Sequence, residues 1–121
     1  MKVVEWPEFL HEGMRGVENA AITVGVFDGI HIGHQKLTEK IQRYAAGRDG
    51  TEAVVFTFMN NPSAFFHPNR FLGNITTIEQ KLRLFRKMGL EHLVLIDFSV
   101  DFSKLTGNDF FSILKFHLVL W

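Results

Sequence analysis

The chain has 121 residues, a length typical of one domain, with 46% apolar and 21% charged residues. Thirteen basic residues balance thirteen acidic ones, which argues against a nucleic-acid partner because such binders neutralise phosphates with a basic surface. The absence of cysteine excludes disulfides and thiolate metal sites. No apolar run approaches the ~20 residues of a membrane span, and Glu5 and Pro7 interrupt the start where a signal peptide is apolar, so we expect a cytoplasmic protein without membrane contact.

The first half of the chain predicts a strand, a helix and a second strand. Residues 20–25 form a short apolar run that is typical of a buried strand. From His34 the apolar residues recur with helical spacing, and Gly47 and Gly50 end that helix. Residues 52–58 predict the second strand. The thirteen phenylalanines of the chain indicate a core rich in rings, a binding surface that uses them, or both.

The second half continues the alternation after a long loop over residues 59–75. Thr76 and Glu79 predict a capping box that opens a helix, Gly89 stops it, and residues 92–96 predict a third strand. Thr106 and Asp109 open another helix, and residues 116–121 predict the start of a fourth strand. The order β-α-β-α-β-α-β predicts an α/β fold, a parallel sheet with helices on both faces.

The segment between the first strand and the first helix reads Gly25-Val26-Phe27-Asp28-Gly29-Ile30-His31-Ile32-Gly33-His34. In open α/β sheets ligands bind outside the carboxyl ends of the strands, and a helix start presents free amides and positive potential to phosphate. Gly29 and Gly33 allow close approach of the backbone. His31 and His34 can both donate to one anion and stabilise a transition state. This pattern predicts a nucleotide-phosphate site, and no zinc site, because no third ligand is near in sequence.

Residues 25–37 resemble the first motif of prokaryotic FAD synthetases, the FMN adenylyltransferase module of bifunctional riboflavin kinase/FAD synthetases, which are Rossmann-like HxGH nucleotidyltransferases. Related HxGH enzymes usually have proline or leucine where this chain has Gly29, so Gly29 favours the flavin branch. Residues 56–58 with Pro62, residues 75–91 and residues 98–110 are similar to further segments of that family.

The resemblance implies an adenylyltransferase that transfers AMP from ATP, with Mg²⁺, to FMN and gives FAD and pyrophosphate. It implies that His31 and His34 are catalytic and that no protein residue binds a resident metal. The ATP contacts that it implies are Gly25, Val26, Phe27, Asp28, Gly29 and Gly33. The implied FMN contacts are Phe58, Asn61 and Pro62. Three loop rings are candidates either to stack on the isoalloxazine or to pack onto the sheet: Phe65, Phe66 and Phe71.

The chain departs from the family pattern in two respects. Asn60-Asn61-Pro62 stands where the family has Pro-His-Pro, and two later family motifs and the riboflavin kinase domain have no counterpart. We therefore expect residues 1–121 to be the N-terminal portion of one nucleotidyltransferase domain, truncated at the fourth strand. Two alternatives stay open: an inactive fragment with a partial nucleotide site, and an HxGH nucleotidyltransferase with another acceptor. The sequence does not indicate an oligomeric state.

Overall fold

The computed structural model describes residues 1–27, 32–60, 69 and 77–120, with the backbone alone at 32–34, 100, 119 and 120. It begins with two elements that our sequence analysis did not predict, strand β1 (Lys2–Glu5) and helix α1 (Trp6–Glu12). Pro7 lies in the first turn of α1, where its missing N–H has no intrahelical partner to lose. Gly13 ends the helix with a φ of 69°, and its N–H donates to the Phe9 carbonyl at 2.8 Å.

The predicted strand–helix–strand unit follows. Strand β2 (Asn19–Gly25) leads to helix α2 (Ile32–Ala46) and then to strand β3 (Thr51–Phe58). The helix begins two residues before the predicted His34 and ends next to the predicted Gly47. These three elements confirm the sequence analysis to within two residues.

The second half contains helix α3 (Ile78–Lys87), strand β4 (His92–Ile96), helix α4 (Val100–Ser103), helix α5 (Gly107–His117) and strand β5 (Val119–Leu120). The capping box of α3 is formed by Thr77 and Gln80, so the predicted pair Thr76 and Glu79 was wrong by one residue. The capping box of Thr106 and Asp109 is confirmed. The prediction of strand from residue 116 was wrong, because α5 continues through His117.

The five strands form one parallel sheet in the order β1-β4-β3-β2-β5. Strand β2 therefore has β3 on one side and β5 on the other, so the chain reverses the direction in which it adds strands between β4 and β5. The predicted α/β fold is confirmed. Among the described residues, no helix has both the length and the apolar composition needed to cross a membrane.

Alternate residues of the central strands point to two apolar cores, one on each face of the sheet. Val54 and Phe56 of β3 face one core, while Val55 faces the other. Helices α1 and α5 cover the first core and α2 and α3 the second, as Phe9 and Leu114, and Ile41 and Phe85, are buried there. Helices thus lie on both faces, as predicted.

Aromatic rings form a connected group within the first core, one of the two possibilities that the phenylalanine content indicated, beside aliphatic residues such as Val54 and Ile96. Trp6 stacks on Phe9 at 5.6 Å and on Phe110 at 5.5 Å between ring centroids. Phe56, fully buried in the centre of β3, meets Phe9 edge to face at 5.3 Å. Edge-to-face and offset contacts of this kind add to the free energy of burial. The α1 side of the sheet is therefore held by rings and aliphatic side chains together.

Candidate functional site

The carboxyl ends of β2, β3 and β4 lie on one edge of the sheet because the strands are parallel. Strand β2 ends there at Gly25, beside the point where the order of strands reverses. In open α/β sheets, this edge at such a reversal is where ligands bind. Helix α2 begins at Ile32, so the segment of residues 25–34 connects the end of β2 to the first helical turn.

The turn that leaves β2 is shaped by Phe27. This residue has a φ of 54°, a left-handed conformation that is uncommon for a side chain of its size. Its ring is 2% exposed, and it meets Phe85 of α3 edge to face at 5.5 Å. A Cβ on Gly25 would come within 2.9 Å of that ring. A side chain at residue 25 would therefore force this buried ring to shift.

A buried lysine lies beneath this turn. Lys81 extends from α3, is 5% exposed, and its Nζ donates to the Val26 carbonyl at 2.6 Å and to the Phe58 carbonyl at 3.2 Å. The Oγ1 of Thr57 also donates to the Val26 carbonyl at 3.0 Å and lies 3.5 Å from the lysine Nζ. These bonds join the carboxyl ends of β2 and β3 through a single ammonium group. In the sequence, Lys81 falls within residues 75–91, which resemble the family, but no pattern there predicted this role.

Asn60 connects the next two strand ends. Its side-chain Nδ2 donates to the Phe98 carbonyl at 3.0 Å, and its Oδ1 accepts from the Phe98 N–H at 2.7 Å. The Met59 N–H adds a bond to the Ile96 carbonyl at 2.6 Å. An amide can donate and accept at once, whereas proline, which the family pattern has at this position, offers no side-chain hydrogen bond. The departure from the family pattern at residue 60 therefore has a structural counterpart, a link between the segments after β3 and β4.

The structure describes part of the predicted ligand set. Gly25, Val26 and Phe27 lie at the end of β2, and Gly33 and His34 lie in the first turn of α2 by their backbone. Phe58 ends β3 and packs against Phe98 at 5.7 Å and Phe102 at 5.8 Å. The remaining predicted site residues lie outside the described residues: Asp28, Gly29, His31, Asn61, Pro62, Phe65, Phe66 and Phe71.

A separate polar cluster lies at the opposite edge of the sheet, where β3 and β4 begin. One ligand atom each from Glu52, Glu91 and His92 lies within 4.8 Å of the others, a spacing that a cation could bridge. His92 Nε2 and Glu52 Oε2 are 3.5 Å apart and already pair with each other. Because parallel strands place their two ends at opposite edges, this cluster is remote from the segment of residues 25–34.

Known structures include a close match in fold. A crystal structure of a protein described as a macrolide-efflux protein from Streptococcus pneumoniae aligns over 99% of this chain and 48% of its own, with a TM-score of 0.77 and 30% identity. The match supports the parallel sheet and the order of its elements.

Curated relatives share one description. A bifunctional riboflavin kinase/FMN adenylyltransferase from Buchnera aphidicola subsp. Acyrthosiphon pisum is 33% identical over 76% of this chain and 29% of the relative. The Escherichia coli K12 protein of that name is 29% identical over 78% and 30%. A putative one from Geobacillus thermodenitrificans is 34% identical over 78% and 51%. The chain thus spans between about a third and half of the length of these relatives.

The family comparison covers most of the chain and includes the segment at the end of β2. The model of the family described as FAD synthetase matches residues 14–119, from the turn before β2 into β5. This range contains both histidines of the predicted phosphate site, the lysine beneath the turn and the asparagine link. The chain belongs to the FAD synthetase family, as the resemblance of residues 25–37 predicted.

Proposed function

We propose that the chain carries the adenylyl-transfer step of FAD synthesis. An oxygen of the FMN phosphate attacks the α-phosphorus of ATP, a new P–O bond forms, and the bond to pyrophosphate breaks. The products are FAD and pyrophosphate. Mg²⁺ enters as part of the substrate MgATP, and we assign it no protein ligand.

The observation that carries this proposal is the position of residues 25–34. They connect the end of β2, where the order of strands reverses, with the start of the 15-residue helix α2. The first turn of such a helix has free N–H groups and positive potential, both of which favour phosphate. Membership of the FAD synthetase family agrees with the position and supports ATP and FMN as substrates.

The proposed roles follow from charge. The FMN phosphate supplies the attacking oxygen. The protein therefore has to orient two anionic groups, FMN and ATP, and stabilise the charge that develops between them. We propose that His31 and His34 donate to the phosphates of ATP and to the transition state. The ATP phosphates would lie along the backbone of residues 25–29 and 33, and FMN would contact Phe58, Asn61 and Pro62.

The direct test replaces His31 and His34 singly with alanine in the 121-residue chain. We expect each substitution to lower the rate of FAD formation by about 10²–10³-fold, the usual effect of removing a donor to developing charge. His11→Ala is the matched control, because His11 is exposed on α1 and remote from residues 25–34. Undiminished FAD formation by both variants would overturn the assigned roles.

Acceptor choice is tested separately. FMN, pantetheine phosphate and nicotinate mononucleotide would each be offered with MgATP, and pyrophosphate release would be measured. We expect FMN to be preferred. Preference for either other acceptor would overturn the flavin assignment. Absence of pyrophosphate release with all three acceptors would favour the alternative of a nucleotide-binding fragment without turnover.

A cytoplasmic location without nucleic-acid or membrane partners completes the proposal. ATP and FMN are charged, and a bilayer excludes charged solutes. The balance of thirteen basic and thirteen acidic residues supports small-molecule substrates over a nucleic acid.

A further inference from the structure

We propose that Lys81 is a positioning residue for the nucleotide site: its ammonium fixes the Val26 carbonyl and so the peptide plane at which the chain leaves β2. The proposal rests on the proposed function, because it gives Lys81 a role in phosphate binding and transfer through that segment. It assigns Lys81 no contact with substrate.

The contacts of Lys81 reach across the sequence. Its Nζ is bonded to Val26, 55 residues earlier, and to Phe58, 23 residues earlier. Strands β2 and β3 are paired along their length, from Asn19 with Thr51 to Gly25 with Thr57, and the lysine binds just beyond the last pair. The ammonium therefore links the two strands just beyond their last paired residues.

The Val26 carbonyl does not by itself need an ammonium as its partner. Thr57 already donates to the Val26 carbonyl through a neutral hydroxyl. An apolar side chain of similar length would fill the same space without removing a charge from water, which is costly. A lysine at this position instead supplies several N–H donors that can hold two carbonyls in a fixed relative geometry.

The Val26 carbonyl is the group through which Lys81 acts on the chain that follows β2. A peptide bond is planar and trans, so the Phe27 N–H points away from the carbonyl that Lys81 holds. The φ of 54° at Phe27 then turns the chain out of the strand direction. Fixing the peptide plane before this turn fixes the start of the segment that carries His31 and His34.

The test uses the absence of cysteine from the chain. Lys81→Cys creates a single thiol, which is alkylated in denaturant and then refolded. 2-Bromoethylamine gives a thioether with a terminal ammonium at nearly the length of lysine, and bromoethane gives a neutral thioether as its matched control. Lys87→Met, at an exposed position of the same helix, controls for loss of a lysine from α3.

Three quantities are measured for each protein at a temperature where circular dichroism shows it folded: the Kd for ATP, and kcat and KM for FAD formation. We expect the neutral adduct to lose kcat by about tenfold or more, because small misplacements of catalytic groups have effects of up to about 10². KM for FMN should change less, and the ammonium adduct should recover kcat. Lys87→Met should resemble the wild type.

Equal kcat and equal ATP affinity for the two adducts would overturn the positioning role and leave Lys81 a purely structural residue. If the wild type forms no FAD, the proposed function fails, and ATP affinity still decides the role of Lys81. In that case the ammonium adduct should bind ATP more tightly than the neutral adduct, and equal affinities would again overturn the proposal. The two failures are therefore distinguishable.

Discussion

The ring of Phe27 occupies the space that a side chain on Gly25 would need, with 2.9 Å between the ring and a Cβ built on that glycine. The same ring packs on Phe85 and adopts its position through a left-handed φ. Two contacts therefore hold the end of β2. The ring of Phe27 lies against Gly25, and the ammonium of Lys81 binds the Val26 carbonyl. Gly25, which the family resemblance assigns to ATP binding, therefore also leaves room for a buried ring of the protein itself.

Gly25→Ala should lower the free energy of unfolding by about 1–3 kcal/mol, the usual cost of an inserted methyl group in a packed region. It should also weaken ATP binding, because the ring must move and the turn moves with it. Gly107→Ala is the control, since a Cβ there meets nothing within 4 Å and the residue lies at the start of α5. Denaturant unfolding and ATP titration check both effects, and a Gly25 variant as stable as the control would contradict the packing argument.

Phe56→Ala should be among the most destabilising substitutions in the first core. Phe56 is fully buried and meets Phe9 and Phe110 edge to face at 5.3 and 6.1 Å. Loss of the ring should cost about 3–5 kcal/mol of unfolding free energy. Phe116→Ala, at a site 84% exposed, should change it by less than about 0.5 kcal/mol. Equal effects on the urea midpoint would show that the ring core is not organised as described, and Phe56→Leu gives a milder variant should alanine prevent folding.

Asn60→Ala should destabilise the chain by about 0.5–1.5 kcal/mol, because it removes two hydrogen bonds to Phe98 from an exposed side chain whose place water can partly take. Asn108→Ala replaces the same residue type at an exposed position and should have little effect. Urea unfolding compares the two. If FMN binds near residues 58–62, the Asn60 variant should also raise the Kd for FMN. Unchanged stability would mean that the link after β3 and β4 contributes nothing.

The two capping boxes should differ in their response to pH. Hydrogen bonds from the Thr106 backbone and hydroxyl hold the pKa of the Asp109 carboxyl below its ordinary value of 3.8. A pKa lowered by folding adds stability above the unfolded value, and that stability is lost as the pH falls through the folded value. Asp109→Asn should therefore be less stable than the wild type at pH 7, and the difference should shrink below pH 3.8.

Thr77→Ala supplies the matched comparison, because the partner of Thr77 is the uncharged Gln80. Loss of either threonine cap should cost about 0.5–2 kcal/mol at pH 7. Only the Thr106→Ala effect should diminish in acid. Thermal unfolding between pH 2 and 7 measures both series, and parallel pH profiles would contradict the role of the Asp109 carboxylate.

The sequence predicted the elements whose signals are local and periodic. Residues 93–96 form an unbroken apolar run and lie in strand β4 (His92–Ile96), and Thr106 with Asp109 caps α5 as predicted. Strand β1 was missed because four residues ending in Glu5 carry too weak a pattern, and its pairing with β4 depends on residues 90 positions away. The choice of Thr76 over Thr77 failed because adjacent threonines offer the same local signal.

The candidate site also has one part that the sequence predicts and another that it does not. The glycines and histidines of residues 25–34 form a contiguous motif, so the family could be predicted from them. The roles of Lys81 and Asn60 could not, because each acts on backbone carbonyls or amides from distant parts of the chain. Every residue has a backbone carbonyl, so the sequence does not show which carbonyl a distant side chain binds.

The fate of the α-phosphate of ATP tests the central claim most directly. The 121-residue chain is incubated with FMN, Mg²⁺ and ATP labelled at either the α- or the γ-phosphorus, and the flavin and pyrophosphate are separated. Adenylyl transfer predicts that the α-label enters FAD and the γ-label is recovered in pyrophosphate. Recovery of both labels in unreacted ATP, or of the γ-label in a flavin, would contradict the account.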